Sequence, residues 1–461
     1  MLKKPKIKIL ILIISIIIIG GYFFINSLIG NQKFSNLISF LNVEQKVLIK
    51  KYIFPYRVIS QQQQKISQQQ QILKVVDFSV IELEKKREGS EIIIKENIVK
   101  LPNNKTLKKY ILTSGFYAGI NNNFPGSGYI DFYKDNVVVL SSRGVLAFNK
   151  QLDDKESFKQ IKNNLNDFIS IEQFKKWPQV SLKDILISNN KVFVSFTEEI
   201  EEDCWNTSVI YGDMNYENII FRRLFSPKEC IHSTNNVDKN FNPHSSGGRI
   251  QSFDRNHILL SVGEYLERYL AQDKTSVNGK IIKINIKNSD YEIISMGHRN
   301  PQGLYFDKEN NFILETEHGP EGGDEINLIE VNQISEDKIQ NYGWAISSSG
   351  EHYGGKVEGN KKKYEKYPLY KSHSEHGFIE PLYSFVPSIG ISEIVKIGQD
   401  KYVSSSMRDK SLYFFELNKQ REIINLDRVE VFERVRDLRF NNNQLYLFME
   451  DTASIGVIDL N

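Results

Sequence analysis

The chain has 461 residues, with 59 Lys and Arg against 57 Asp and Glu, a formal net charge of +2. That balance excludes a nucleic-acid protein held mainly by phosphate neutralisation, which needs a basic excess. Hydrophobic residues at 40% and charged residues at 25% exclude a disordered chain, and a mean hydropathy of −0.38 excludes a multi-span membrane protein.

The first elements differ from everything after them. Lys3, Lys4, Lys6 and Lys8 form a basic tip, residues 1–8, ahead of a charge-free run from Ile9 to Gln32. At about 1.5 Å rise per residue the run is long enough to cross a bilayer, so residues 9–30 are expected to form a transmembrane helix. The lysines place the tip in the cytoplasm and the rest outside, in the periplasm of a Gram-negative cell. A cleaved signal peptide needs a small-residue site, and no Ala occurs before Ala118, so an uncleaved signal anchor is the expectation. Residues 31–88 read as a stalk with a Gln-rich segment at 61–71. Ile59, Ile66 and Leu73 stand at heptad spacing, so a thin coiled coil and a flexible linker both remain open.

From residue 89 the pattern changes to short alternating runs. Six times a turn rich in Asp, Asn or Lys leads into an apolar strand. The turns are Lys134-Asp135-Asn136, Asn189-Asn190-Lys191, Asp254-Arg255-Asn256, Asn310-Asn311, Gln399-Asp400-Lys401 and Asn441-Asn442-Asn443. A further strand-like run follows each one, for example Val209–Tyr211 and Ser411–Leu417. Turn chemistry between β-branched and aromatic runs predicts hairpins, and their recurrence predicts an all-β, six-bladed β-propeller over 89–461. A pair of β-sandwiches is the alternative. Cys204 and Cys230 are the two cysteines; outside the cytoplasm they can pair, and two unpaired thiols are the other reading.

The most specific stretch runs from Gly297 to Tyr353. It holds Gly-His-Arg-Asn-Pro-Gln-Gly-Leu (297–304), Glu-His-Gly-Pro-Glu-Gly-Gly-Asp-Glu-Ile-Asn (317–327), Asn-Tyr-Gly-Trp (341–344) and Gly-Glu-His-Tyr (350–353). These motifs resemble the glucose/sorbosone dehydrogenase family, the soluble aldose dehydrogenases that use pyrroloquinoline quinone (PQQ). The resemblance covers roughly 110–461 and implies the same six-bladed propeller.

By resemblance, Arg299, Asn300 and Gln302 contact PQQ, and Arg408 stands where the family usually has Lys. Arg434 and Arg436, in Arg-Val-Arg-Asp, match two arginines that face the cofactor, and strand alternation puts both on one face. The resemblance gives the carbonyls of Gly319 and Pro320 to a calcium ion, and Glu325 and Tyr342 to a second. It gives the catalytic base to His244, one residue further from Gly-Gly-Arg than usual, with Glu264 as the acid that orients it. Taken alone, these residues are polar turns and solvated charges; the family match carries their roles. The implied activity is oxidation of a sugar or related polyol at its C1 hydroxyl, with electrons passed to a quinone or soluble carrier. A non-catalytic, calcium-containing propeller that binds a ligand or partner is the alternative. Tyr364, Tyr367 and Tyr370 are candidates for stacking on a sugar ring.

Overall fold

A computed structural model describes residues 94–460 apart from 103, 113–126, 151, 153–156, 178 and 335–338. The expected anchor at 9–30 and stalk at 31–88 lie outside the described residues. Among the described residues, no helix is long and apolar enough to cross a membrane.

Each of the six turn signals joins the innermost strand of a sheet to its second strand. In chain order these pairs are Gly128–Tyr133 with Asn136–Ser141, Leu182–Ser188 with Lys191–Glu201, and Gly247–Ser252 with His257–Val262. The last three are Pro301–Asp307 with Phe312–Glu317, Ile391–Gly398 with Lys401–Ser406, and Val435–Asn441 with Gln444–Met449. Asn189, Asn190, Asn442 and Asn443 adopt positive φ of 49–59°, the left-handed region that tight hairpins need and Asn tolerates. Further antiparallel strands build each sheet outward, giving six blades of at least four strands. The innermost strands touch one another in cyclic order, blade one to six and back to one, and so close the propeller.

The sixth blade is completed by the beginning of the domain. Thr106–Leu112 pairs antiparallel with the last strand, Ser454–Asp459, and Ile94–Lys100 adds to its outer edge. No periodicity in the sequence announces this closure.

Apolar layers between neighbouring blades replace a single core. Leu186, Phe193 and Val209 of blade two meet Ile250, Leu260 and Ile282 of blade three. Leu314 and Ile326 of blade four meet Ile394 and Tyr402 of blade five. Each fully buried large apolar side chain contributes about 1.5–3 kcal/mol relative to exposure, so every interface is strong by itself. Cys204 and Cys230 form a disulfide, and closing a loop of this size stabilises by roughly 3 kcal/mol on the chain-entropy model.

The channel along the propeller axis is ionic. Arg249 donates to Asp437 at 2.8 Å and to Asp184 at 3.3 Å, and lies 3.1 Å from Glu393. Arg439 joins the same three acids. The acids also accept backbone N–H groups from adjacent blades: Asp437 from Ile130, Asp184 from Ile250, Glu393 from Leu304 and Asp131 from Ile187. One carboxylate thus satisfies a buried donor and fixes the neighbouring strand. Burial pushes Asp131 up to about 6 and Glu393 up to about 7, although the arginines oppose the rise.

Candidate active site

Above this ionic plug the channel opens into two adjoining cavities. The inner one, about 150 Å³, is lined by Lys183, His244, Gln302, Arg434, Arg436 and Glu450, among others. The outer one, about 360 Å³, is lined by Arg299, Gly319, Pro320, Asp324, Tyr353 and Arg408, among others. His244, Asn300 and His318 belong to both.

His244 sits in a short turn, Pro243–Ser245, capped by Asn242, whose Oδ1 accepts from His244 N at 2.9 Å. The Gly-Gly pair that follows is a steric necessity. Gly248 has φ +113°, and a Cβ there would lie 2.3 Å from the Lys183 Cβ. Gly247 has φ +62°, and its Cβ would lie 2.8 Å from Gly263 N. The histidine ring is open to the cavity but walled by protein, and among the described residues it makes no hydrogen bond. A ligand that fills the cavity leaves it buried. Burial, followed by the Lys183 and Arg436 charges, pushes its pKa down to about 3, so the ring is neutral at physiological pH.

The expected pairing of Glu264 with His244 is not formed. Gly263 N donates to Ser246 O and Tyr265 N to Ser245 O, which pins the strand end to the histidine turn. Tyr265 and Leu266 then take positive φ of 52° and 73°, and Glu264 Oε1 folds back to accept from Leu266 N at 3.1 Å. The carboxyl faces Arg299, Arg268 and Trp344 instead, and burial pushes it up to about 7 against those cations.

The cationic residues do converge. Arg434 and Arg436 both donate to Glu450, at 2.9 and 2.7 Å, and Arg436 also donates to Gln302 Oε1 at 3.1 Å. Glu450 is buried, which raises its pKa, but the two arginines overcome that and hold it low. Asn300 Oδ1 accepts from Gly247 N and Gln302 Nε2, so one amide ties the histidine turn to blade four. Arg299 donates to the carbonyls of His318 and Gly319, both at 2.8 Å, and lies over the Trp344 ring. Arg408 is exposed on the outer cavity wall.

The acidic loop divides into two environments. Gly319 and Pro320 border the outer cavity together with Glu321 and Asp324; the Gly319 carbonyl accepts from Arg299 and the Pro320 carbonyl from the Ser388 hydroxyl at 3.3 Å. Glu325 faces the other way, cross-strand from Glu317 and buried. The Tyr342 hydroxyl donates to Leu328 O at 2.5 Å and its ring stacks on His298, so the phenol is not offered to Glu325. The chelating atoms that do come together are those of His298, Glu315 and Glu317, within 4.8 Å of one another. Burial raises Glu315 and Glu325 well above the usual carboxylate range, and the Glu317 charge raises them further. The tyrosines proposed for sugar stacking are engaged elsewhere. Tyr364 bonds Glu351, Tyr367 bonds Asp238, and Tyr370 stacks on His376. Tyr353, exposed on the outer cavity wall, is the aromatic ring there.

Lys183 and the Arg249 network were not anticipated. A signal was present, since a charged residue interrupts an apolar strand just before most of the six turns. Strand alternation alone assigns such residues to solvent.

The glucose/sorbosone dehydrogenase family signature matches residues 178–458, more than half of the chain. The chain belongs to this family. Aldose sugar dehydrogenase YliI of Escherichia coli (strain K12) is 25% identical over 308 residues, covering 60% of this chain and 76% of that protein. The solved apo-form of the soluble E. coli aldose sugar dehydrogenase superposes with a TM-score of 0.58 at 21% identity, covering 76% of this chain and 99% of the other. The PQQ-bound aldose sugar dehydrogenase of Streptomyces coelicolor gives 0.53 at 18% identity, covering 77% and 98%. At those identities the two structures establish that this member of the glucose/sorbosone dehydrogenase family has their fold.

Proposed function

We propose that the protein is a PQQ- and calcium-dependent dehydrogenase that oxidises an aldose or related polyol. One observation carries this reading: Arg434, Arg436 and Gln302 line the inner of two adjoining cavities, Arg299 and Arg408 the outer, and both share Asn300 and a neutral histidine, His244. The donor set fits the group. PQQ is a flat tricarboxylate, and guanidinium forks and amides are the groups that bind planar anions. Glu321 and Asp324, beside Pro320 on the outer cavity wall, offer hard oxygen donors suited to calcium, and the Gly319 carbonyl would join them once released by Arg299.

When bound, PQQ accepts two electrons from the substrate as a hydride. The chain supplies the rest. His244 takes the proton of the substrate hydroxyl at its free ring nitrogen, which burial, helped by the Lys183 and Arg436 charges, keeps unprotonated beforehand. The arginines would hold the PQQ carboxylates, and Asn300, accepting from Gly247 N, keeps the histidine turn tied to blade four. The test is to add PQQ and calcium to the purified full-length protein and assay dye reduction with several aldoses. Stoichiometric binding and sugar-dependent reduction are expected; no quinone absorbance on the protein refutes the assignment.

The reading extends to location. We infer a protein anchored through residues 9–30 with the propeller outside the cytoplasmic membrane, passing electrons to a quinone or soluble carrier. The lysine-flanked apolar run supports the anchor, and the Cys204–Cys230 disulfide suits an oxidising compartment. After a carbonate wash the protein is expected in the membrane pellet, with the propeller cleaved by protease added to spheroplasts. Recovery in the soluble fraction refutes the anchor.

A further inference from the structure

We propose that Lys183 anchors one carboxylate of the cofactor, an inference that rests on the PQQ reading above. Lys183 lies in the innermost strand of blade two, directly before Asp184 of the channel network. Its residue is 7% exposed, and its stem packs on Gly248, where even a methyl group would collide with it. The ammonium reaches the inner cavity beside His244, Gln302, Arg434 and Arg436.

What sets this lysine apart is its company. Its hydrogen bonds go to two carbonyls, Pro243 O at 3.2 Å and Gln179 O at 3.4 Å, and among the described residues it forms no ion pair. Glu450, the carboxylate on the inner cavity wall, is already shared by Arg434 and Arg436. A buried ammonium without a counter-ion is costly unless something anionic meets it. Burial and the charges of Arg436 and Arg143 push its pKa down to about 7, which is the cost made visible. The side chain therefore lacks what a carboxylate on the cavity floor supplies. Arg434 and Arg436 border the same space, so a planar polyanion can meet all three cations at once.

The experiment compares the full-length wild type with Lys183→Met and Lys183→Gln. PQQ affinity is measured by equilibrium titration at fixed calcium, and melting temperature without cofactor. Both variants are expected to bind PQQ about 10- to 100-fold more weakly, the range of a charge-assisted hydrogen bond, with the melting point unchanged or raised. A second readout does not depend on the variants folding. Lys183 lines the cavity, so dilute acetic anhydride is expected to acetylate it in the cofactor-free wild type and stoichiometric PQQ to protect it, read by peptide mass spectrometry. Unchanged affinity in the variants, or labelling that PQQ does not alter, overturns the proposal. Unchanged PQQ affinity with a raised KM for sugar also overturns it, by assigning the amine to substrate. A wild type that binds no PQQ fails the functional reading itself, a result distinct from all of these.

Discussion

Replacing His244 with alanine is expected to lower turnover of the PQQ-loaded protein by about 10²–10⁴-fold, the usual contribution of a general base, with cofactor affinity within about threefold. The two readouts separate because the ring makes no hydrogen bond to the cationic residues around it, so its removal leaves Arg434, Arg436, Gln302 and Glu450 tied as they are. The pH profile is a second check. A base held down by burial stays unprotonated further into the acid range, so the acid limb of kcat/KM should lie below the free histidine value of about 6.5. Turnover retained in His244→Ala shifts the role to His318. Its ring lines the same cavities, its Nε2 has no hydrogen-bond partner, and burial lowers its pKa as well.

Arg249→Met is expected to cost about 3–5 kcal/mol in urea unfolding, the penalty for leaving a buried ion network with three acids and one of its two cations, Arg439. The number is large because one guanidinium meets Asp184, Glu393 and Asp437, each nearly inaccessible to solvent. Asp437→Asn in the Arg249→Met background should recover part of the loss by removing one uncompensated charge. Cofactor affinity should fall too, since Arg249 Nε bonds Gln302 O and Nη2 bonds Arg436 O, both at 2.5 Å. A surface pair such as Lys401 with Glu416 offers the contrast, because exposed pairs contribute about 0–1 kcal/mol.

The blade count was legible because each hairpin carries a local signal, a residue that tolerates left-handed backbone at a fixed place between two apolar runs. The four candidate arginines were legible through family motifs, and the structure brings them to two adjoining cavities, Arg434 and Arg436 to the inner and Arg299 and Arg408 to the outer. The partner of Glu264 was not legible, because it depends on the left-handed turn at Tyr265 and Leu266, and neither residue type advertises that conformation. The family motif alone assigns Tyr342 to calcium, and the motif does not record that its hydroxyl meets the Leu328 carbonyl. Lys183 escaped notice because a strand buried on both faces hides its charged residues among apolar ones, and sequence alternation records only one face.

The strand at Thr106–Leu112 finds its partner roughly 340 residues later, at Ser454–Asp459. During synthesis that strand emerges before the other strands of all six blades except Ile94–Lys100 and waits for the last of them. Until then its hydrogen-bonding edge is open to any other extended chain, including a neighbouring copy. Assembly is therefore governed by arrival of the C-terminus, and a chain stalled before residue 454 exposes a sticky ribbon that the completed ring never shows.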